Sequence, residues 1–335
     1  MVDPNHRLLA VTVGCAVAVL YGVAAFAGFR QQGALQSFGF LGLVPLAVGA
    51  VPLLLVDPAQ VNNYRRLILV PWISILALLA LLPLLFGEGA LCLIMLGAPF
   101  IGVALLVTLT QWILNALRIR AGKRAKAAGA GLLMLLPFVC WQVERGALPT
   151  ESETTASSID VAAAPADVWP LLAEVAPIAA AEFKPGILHV LGVPRPLRAS
   201  VDRAALGGKR TGYFESELRF DEVITRYSAP RDLAFSVAVD LARLRPGSAE
   251  RHAFGAGCLR FDSAAYHLEA LPGGSTRLQL ESRYVVRTGV NRYAKFWARL
   301  IASDFQDRLL ALLKARAEAD RLDSAAGHVE ALVER

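Results

Sequence analysis

The chain predicts an N-terminal α-helical membrane bundle of about five spans, followed by a C-terminal α+β domain whose curved antiparallel sheet wraps on a long C-terminal helix. Three observations predict it. The 335 residues are 55% hydrophobic and 19% charged, against about 45–50% and ~25% in soluble domains. The charge is split: residues 1–150 carry ten Lys/Arg and four Asp/Glu, whereas residues 151–335 carry 24 of each. The periodicity also changes, from unbroken apolar runs to alternating strands and one amphipathic terminal helix.

Residues 8–28 (LLAVTVGCAVAVLYGVAAFAG) hold no charge and are long enough to cross a bilayer. They are too long, and lack the small-residue cleavage site, for a signal peptide. Further spans are expected at 38–56, 67–86 and 89–114, with a marginal fifth at 127–143 (AAGAGLLMLLPFVCWQV). Trp112 and Trp141 fall near span ends, where indoles favour the interface. No ionisable side chain lies in a span core, which argues against an autonomous ion pump.

The short loops set the orientation. Loop 57–66 holds Arg65 and Arg66, and loop 115–126 holds Arg118, Arg120, Lys123, Arg124 and Lys126. Loop 29–37 has only Arg30, and 87–88 is Gly87 and Glu88. The basic loops and the N-terminus are therefore expected in the cytoplasm. Five crossings in a bacterial inner membrane then leave the C-terminal domain periplasmic or extracellular. Loop 115–126 also has the composition of a patch for anionic headgroups. Because the basic excess is confined to the membrane half, no nucleic-acid partner is expected; the expected partners are the bilayer and an apolar small molecule.

Residues 144–156 are polar and aperiodic and read as a linker before a domain at 157–321, with a flexible tail at 322–335. The domain opens with a strand at about 157–163 and a helix led by Pro165, a residue suited to a first helical turn. Strands are expected at 197–205, 209–214, 218–228, 231–239, 258–270 and 277–286. In RLQLESRYVV the apolar residues alternate with Arg277, Gln279, Glu281 and Arg283, so one face of the sheet is wet. LPGG at 271–274 is a hairpin turn, and 240–257 is a loop long enough to be a lid. The closing helix, about 290–321, places Tyr293, Phe296, Trp297, Leu300, Ile301, Phe305, Leu309, Leu312 and Leu313 on one stripe.

IDVAAAPADVWPLL at 159–172, GGKRTGYFESELRFDEVITRY at 207–227, the strand pair around LPGG and YAKFWARLIASDFQDRLLALLKARAE at the end carry a resemblance. In order and spacing they resemble the SRPBCC, or START-like helix-grip, superfamily, which includes polyketide cyclases and lipid-transfer proteins. The resemblance covers about 157–320. It implies an apolar cavity between sheet and terminal helix, used for hydrophobic ligands, and does not imply one reaction.

Glu222 shares strand parity with Leu218, Phe220 and Ile224, which places a carboxylate on the apolar face. It is a ligand hydrogen-bonder or general acid/base, or else half of a structural ion pair. Arg210 is its candidate partner, a grip for an anionic headgroup, or an exposed strand-start residue. Phe220, Ile224, Phe235, Tyr284 and Trp297 are cavity-lining candidates that plain core packing explains as well. Asp304 points to a cavity mouth or to solvent, the face of His267 is open, and His189 and His252 fall in loops. No metal-ligand spacing and no cofactor motif occurs, so neither is expected; Cys15, Cys92, Cys140 and Cys258 form no framework. The expected function is binding of a lipid or other hydrophobic small molecule. The alternative is a cyclase or dehydratase acting on a membrane-soluble substrate, with Glu222 as its acid/base.

Overall fold

Pro4 to Gln31 form a 28-residue helix, α1, that is apolar on both sides: Ala18, Ala25, Phe26 and Phe29 are buried, while Leu9, Val13 and Leu20 stand exposed. A helix apolar all round belongs in lipid or in a large core. In the computed structural model, which describes residues 4–55, 64–117, 122–244, 249–255 and 257–333, α1 opens the first of two units, Met1–Pro149 with Thr288–Val290; the second is Thr150–Arg287 with Asn291–Arg335.

In the first unit a π-helical turn at Gly39–Leu43 leads into α2 (Val44–Leu55). α3 (Tyr64–Phe86), α4 (Ala90–Ala116) and α5 (Lys123–Glu144) follow. Among the described residues four helical stretches are long and apolar enough to cross a membrane: Val11–Gln31, Leu69–Phe86, Ala90–Ala116 and Arg124–Glu144. The segment expected to be marginal, 127–143, is among them. The one that falls short is the second, Gly39–Leu55, so five full-length spans are not what the helices give. α2 is short but central: it packs against α1, α3, α4 and α5 and buries Val44, Ala47, Val48 and Val51. Small residues permit the close approach; a Cβ on Gly22 of α1 would strike the Leu78 side chain of α3. Residues 57–63 of one basic loop, and Arg118 and Arg120 of the other, lie outside the described residues.

Helix ends that the loop pattern assigns to one side meet in this unit. Arg30 after α1 lies 3.5 Å from Glu88 before α4, and its guanidinium donates to the Phe86 carbonyl. Trp141 near the end of α5 donates to Gln32 at 2.8 Å, and the Glu144 carboxylate accepts from the Phe38 backbone N–H.

The second unit is a seven-stranded antiparallel sheet in the order β1-β7-β6-β5-β4-β3-β2. β1 (Thr150–Val161) precedes two helical turns, α6 (Pro165–Val168) and α7 (Pro170–Ala173), and a third, α8 (Ile187–Val190). β2 (Pro196–Val201), β3 (Lys209–Phe214), β4 (Arg219–Ser228) and β5 (Asp232–Val239) follow. After α9 (Ala249–Gly255) come β6 (Leu259–Leu271), β7 (Ser275–Arg287) and the terminal helix α10 (Asn291–Val333). In the hairpin between β6 and β7, Gly273 and Gly274 both hold positive φ, which their lack of a Cβ permits.

Three expectations change. The expected linker 144–156 is largely strand: β1 begins at Thr150 and pairs along its whole length with β7. Its polar sequence concealed it, because Glu151 and Glu153 are not loop residues but partners of Lys295 on α10. The terminal helix does not stop near 321 but continues to Val333, where a flexible tail was expected. The expected lid at 240–257 contains a short helix, α9.

The core forms where α10 lies on the inner face of the sheet. Leu310, Leu313 and Ala317 pack with Leu233, Tyr266 and Leu278, and Trp169 and Leu172 of the first helical turns close the end. Each fully buried Leu contributes about 1.5–3 kcal/mol, so the terminal helix is held chiefly by its apolar stripe.

Candidate functional site

Arg210 and Glu222 sit directly opposite each other on β3 and β4, and both are only 6% exposed. They form a salt bridge, so the strand parity that placed Glu222 inward is matched by a cation on the next strand. Arg210 is therefore not the exposed strand-start residue that its position also allowed. Its Nε donates to the Ala173 carbonyl at the end of α7 at 2.9 Å, and its guanidinium lies over the Phe235 ring, 4.8 Å from the centroid. Burial pushes the Glu222 carboxyl above the ordinary carboxylate range, against the pull of Arg210. Tyr266, sealed nearby on β6, has its hydroxyl pushed up to about 12 by burial.

Beyond this pair the inner face turns aromatic. Phe214 at the end of β3 packs on Phe220 of β4 at 4.9 Å and on Phe305 of α10 at 5.7 Å. Phe220 reaches Phe261 of β6 at 5.5 Å and Phe254 of α9 at 6.2 Å, and Phe261 touches Tyr284 of β7 at 6.0 Å. Tyr284 is buried, yet the five phenylalanines are all half-buried. A packed core buries such rings fully. Here a continuous belt drawn from four strands and two helices keeps part of its ring surface uncovered.

Polar groups border the belt in two places. Under α10 the Tyr284 hydroxyl and Thr155 Oγ1 are 2.9 Å apart, and Gln306 donates to the Thr155 carbonyl and to Ser282 at 3.0 Å each. At the other end the buried His189 of α8 places Nδ1 3.2 Å from Oδ2 of Asp304, one residue before Phe305. The ring of Phe183 meets the imidazole edge-on at 5.1 Å. Burial holds the His189 pKa below its ordinary value, outweighing the neighbouring Asp304.

Of the residues singled out from sequence, Arg210, Glu222, Ile224 and Phe235 come together, with Ile224 opposite Phe235 in the β4–β5 register. Phe220 and Tyr284 join through Phe261. Trp297 is buried but its ring contacts are Tyr293 and Phe296 of its own helix. Asp304 meets His189 rather than solvent. His267 faces the wet side, 2.6 Å from Asp232, and His252 belongs to α9. Sequence reasoning did not assign Phe254, Phe261 and Phe305 to a site, nor pair His189 with Asp304. A β-bulge between Phe261 and Ser263 is the reason for one of them: the extra residue, Asp262, reverses the alternation, so that Phe261 faces inward with Tyr266 and Leu268. The interrupted pattern in LRFDSAAYHLEAL was the available signal. Among the described residues no three His, Cys, Asp or Glu gather as metal ligands.

No family model matches the chain, and no curated protein does. Solved structures resemble its C-terminal half. An uncharacterised protein from Rhizobium leguminosarum is 19% identical, covering 50% of this chain and 99% of its own, with a TM-score of 0.33. An aromatase/cyclase from Streptomyces sp. R1128 is 14% identical over 50% of this chain and 94% of its own, TM-score 0.34. Norcoclaurine synthase from Thalictrum flavum is 12% identical over 52% and 99%, TM-score 0.34. Scores this low leave the site to be argued from its own residues.

Proposed function

We propose that the C-terminal domain binds a hydrophobic small molecule or lipid between its sheet and α10, and that the N-terminal helices hold it at a bilayer. The observation that carries this reading is the belt of half-buried rings at Phe214, Phe220, Phe254, Phe261 and Phe305. An apolar surface with a few convergent polar groups is the usual make-up of a small-molecule site. The membrane supplies ligands of that chemistry, and the five residues 145–149 between α5 and β1 tie the domain close to it.

The reading extends to topology. Five crossings, α2 with its preceding π turn included, carry the chain from a cytoplasmic N-terminus to a periplasmic or extracellular C-terminal domain. The contacts of Arg30 with Glu88 and of Gln32 with Trp141 support the alternation of crossings, because these residues flank helix ends that it brings to one side; the direction rests on the basic loops.

The test uses the full-length protein in lipid nanodiscs, released into native mass spectrometry. A stoichiometric apolar molecule retained by the wild type and lost from Phe261→Asp supports the reading. A protein that arrives empty and takes up no lipid from donor vesicles overturns it.

A second reading, a cyclase- or dehydratase-type reaction, is favoured by one observation: Glu222 is a carboxyl whose burial pushes it towards the range of a general acid. Its salt bridge to Arg210 weighs against it. Glu222→Gln abolishes turnover in an enzyme and only retunes affinity in a binder.

A further inference from the structure

Polar atoms sealed from water without a hydrogen-bond partner are rare in folded proteins, and each asks for a physical account. Of the seven such side-chain atoms among the described residues, four fall in one place: both ring nitrogens of His189, Oδ2 of Asp304 and Nε of Arg308. They come from elements far apart in sequence, the turn α8 and the middle of α10. The His189 side chain is 1% exposed. Its Nδ1 is 3.2 Å from Oδ2 of Asp304, at the long end for a hydrogen bond, and Arg308 Nε stands 3.6 Å from Oδ1 of the same carboxylate. The approach depends on a glycine, since a Cβ on Gly186, just before α8, would collide with the Asp304 carboxylate.

The cluster borders the aromatic belt. Phe305 follows Asp304 in α10 and packs on Phe214, while Glu215, the residue after Phe214, acts electrostatically on His189. The charges balance: Arg308 offsets Asp304, and Glu215 is paired with Arg195. An imidazole kept neutral by burial leaves the whole group neutral. A carboxylate or phosphate would therefore meet Asp304 unfavourably, and an ammonium would meet Arg308. A hydroxyl suits all three groups. It donates one proton, to the carboxylate or an imidazole nitrogen, and accepts from the Arg308 N–H.

We infer that His189, Asp304 and Arg308 form a recognition site for a hydroxyl group carried by the apolar molecule that the aromatic belt holds. The inference rests on the binding reading given above and deepens it: the ligand class narrows to hydrophobic alcohols, phenols or enols.

The test compares 2-naphthol with 2-methoxynaphthalene, which share a ring system and differ in the donated proton. Binding is measured by calorimetry on the full-length protein in nanodiscs, with empty nanodiscs as the partition blank. The wild type is expected to prefer the naphthol by roughly tenfold, the size of one charge-assisted hydrogen bond. His189→Phe and Asp304→Asn are expected to erase that preference while leaving affinity for the ether unchanged, which also shows that they fold. Gly186→Ala, which alters no member of the cluster, should erase it too. Equal affinity of the wild type for both probes overturns the inference, as does a preference that survives in His189→Phe. Loss of both probes in His189→Phe also overturns it, since the cluster then serves the fold and not the hydroxyl. Failure of a different kind, with neither probe binding the wild type or both binding Phe261→Asp as well, overturns the cavity reading on which this inference rests.

Discussion

A guanidinium and a carboxylate closed off between β3, β4 and the end of α7 make Arg210 and Glu222 the most consequential pair of side chains in the sheet. Removing one partner of a buried pair strands the other charge, at a cost of about 3–5 kcal/mol, whereas replacing both with apolar residues is often neutral. Arg210→Met is therefore expected to lower the melting temperature of the full-length protein sharply. The double variant Arg210→Met/Glu222→Leu should recover most of the loss, and thermal unfolding of the two checks this. His189 acts through pH instead. Its folded-state pKa lies below the ordinary 6.5, so on acidification the unfolded chain takes up the proton first. The stability it contributes is fully present above the unfolded value of about pH 6.5 and is lost as pH falls from there through the lower folded-state pKa. Melting curves between pH 7.5 and 5 should show a smaller acid-side drop for His189→Phe than for the wild type; an unchanged slope refutes the assignment.

At the scale of elements, the bulge in β6 decides which way Phe261 points. Deleting Asp262 removes the unpaired residue and leaves Phe261 opposite Tyr284 and Ser263 opposite Arg283, so the ring keeps its inward face. A folded deletion variant should therefore keep its ligand affinity; lost affinity with an intact circular dichroism sheet signal would contradict the facing given to Phe261. On α10, Leu313 is fully buried, and Leu313→Ala should cost about 2–5 kcal/mol in an unfolding titration. Much of the element plan could be read in the sequence. β7 and the stripe of α10 were evident because each buries one face and wets the other. Parity alone put Glu222 inward and made Arg210 a candidate partner. β1 was hidden, because a strand whose carboxylates face the terminal helix and are neutralised there by Lys295 looks like a polar linker until that helix is placed over it. The belt was hidden because half of its rings come from a bulge, a short helix and the terminal helix. No local period registers such a meeting, and the pairing of α8 with Asp304 escapes it for the same reason.

For the whole molecule, the distribution of charge is the strongest statement the chain makes. Basic loops and apolar helices fall in one half and a neutral, alternating sequence in the other. If five crossings hold, a single cysteine introduced at Ser158 in an otherwise cysteine-free variant reacts with a membrane-impermeant maleimide added outside the inner membrane. One introduced at Ala127 does not, and the reverse pattern places the domain in the cytoplasm.

The sheet order has a consequence for how the molecule is made. β1 leaves the last hydrophobic helix after only a few residues, yet its sole neighbour is β7: Thr150 pairs with Arg287 and Val161 with Thr276. The first strand to be made has no partner until the last one has been synthesised more than a hundred residues later, a delay on the order of ten seconds at ~5–20 residues per second. Throughout that interval its edge is open to any other extended chain. Its serines, threonines and carboxylates, which made it look like a linker, keep it soluble while it waits. The polar composition of the first strand thus suits both that wait and its place in the finished fold, where its carboxylates pair with Lys295.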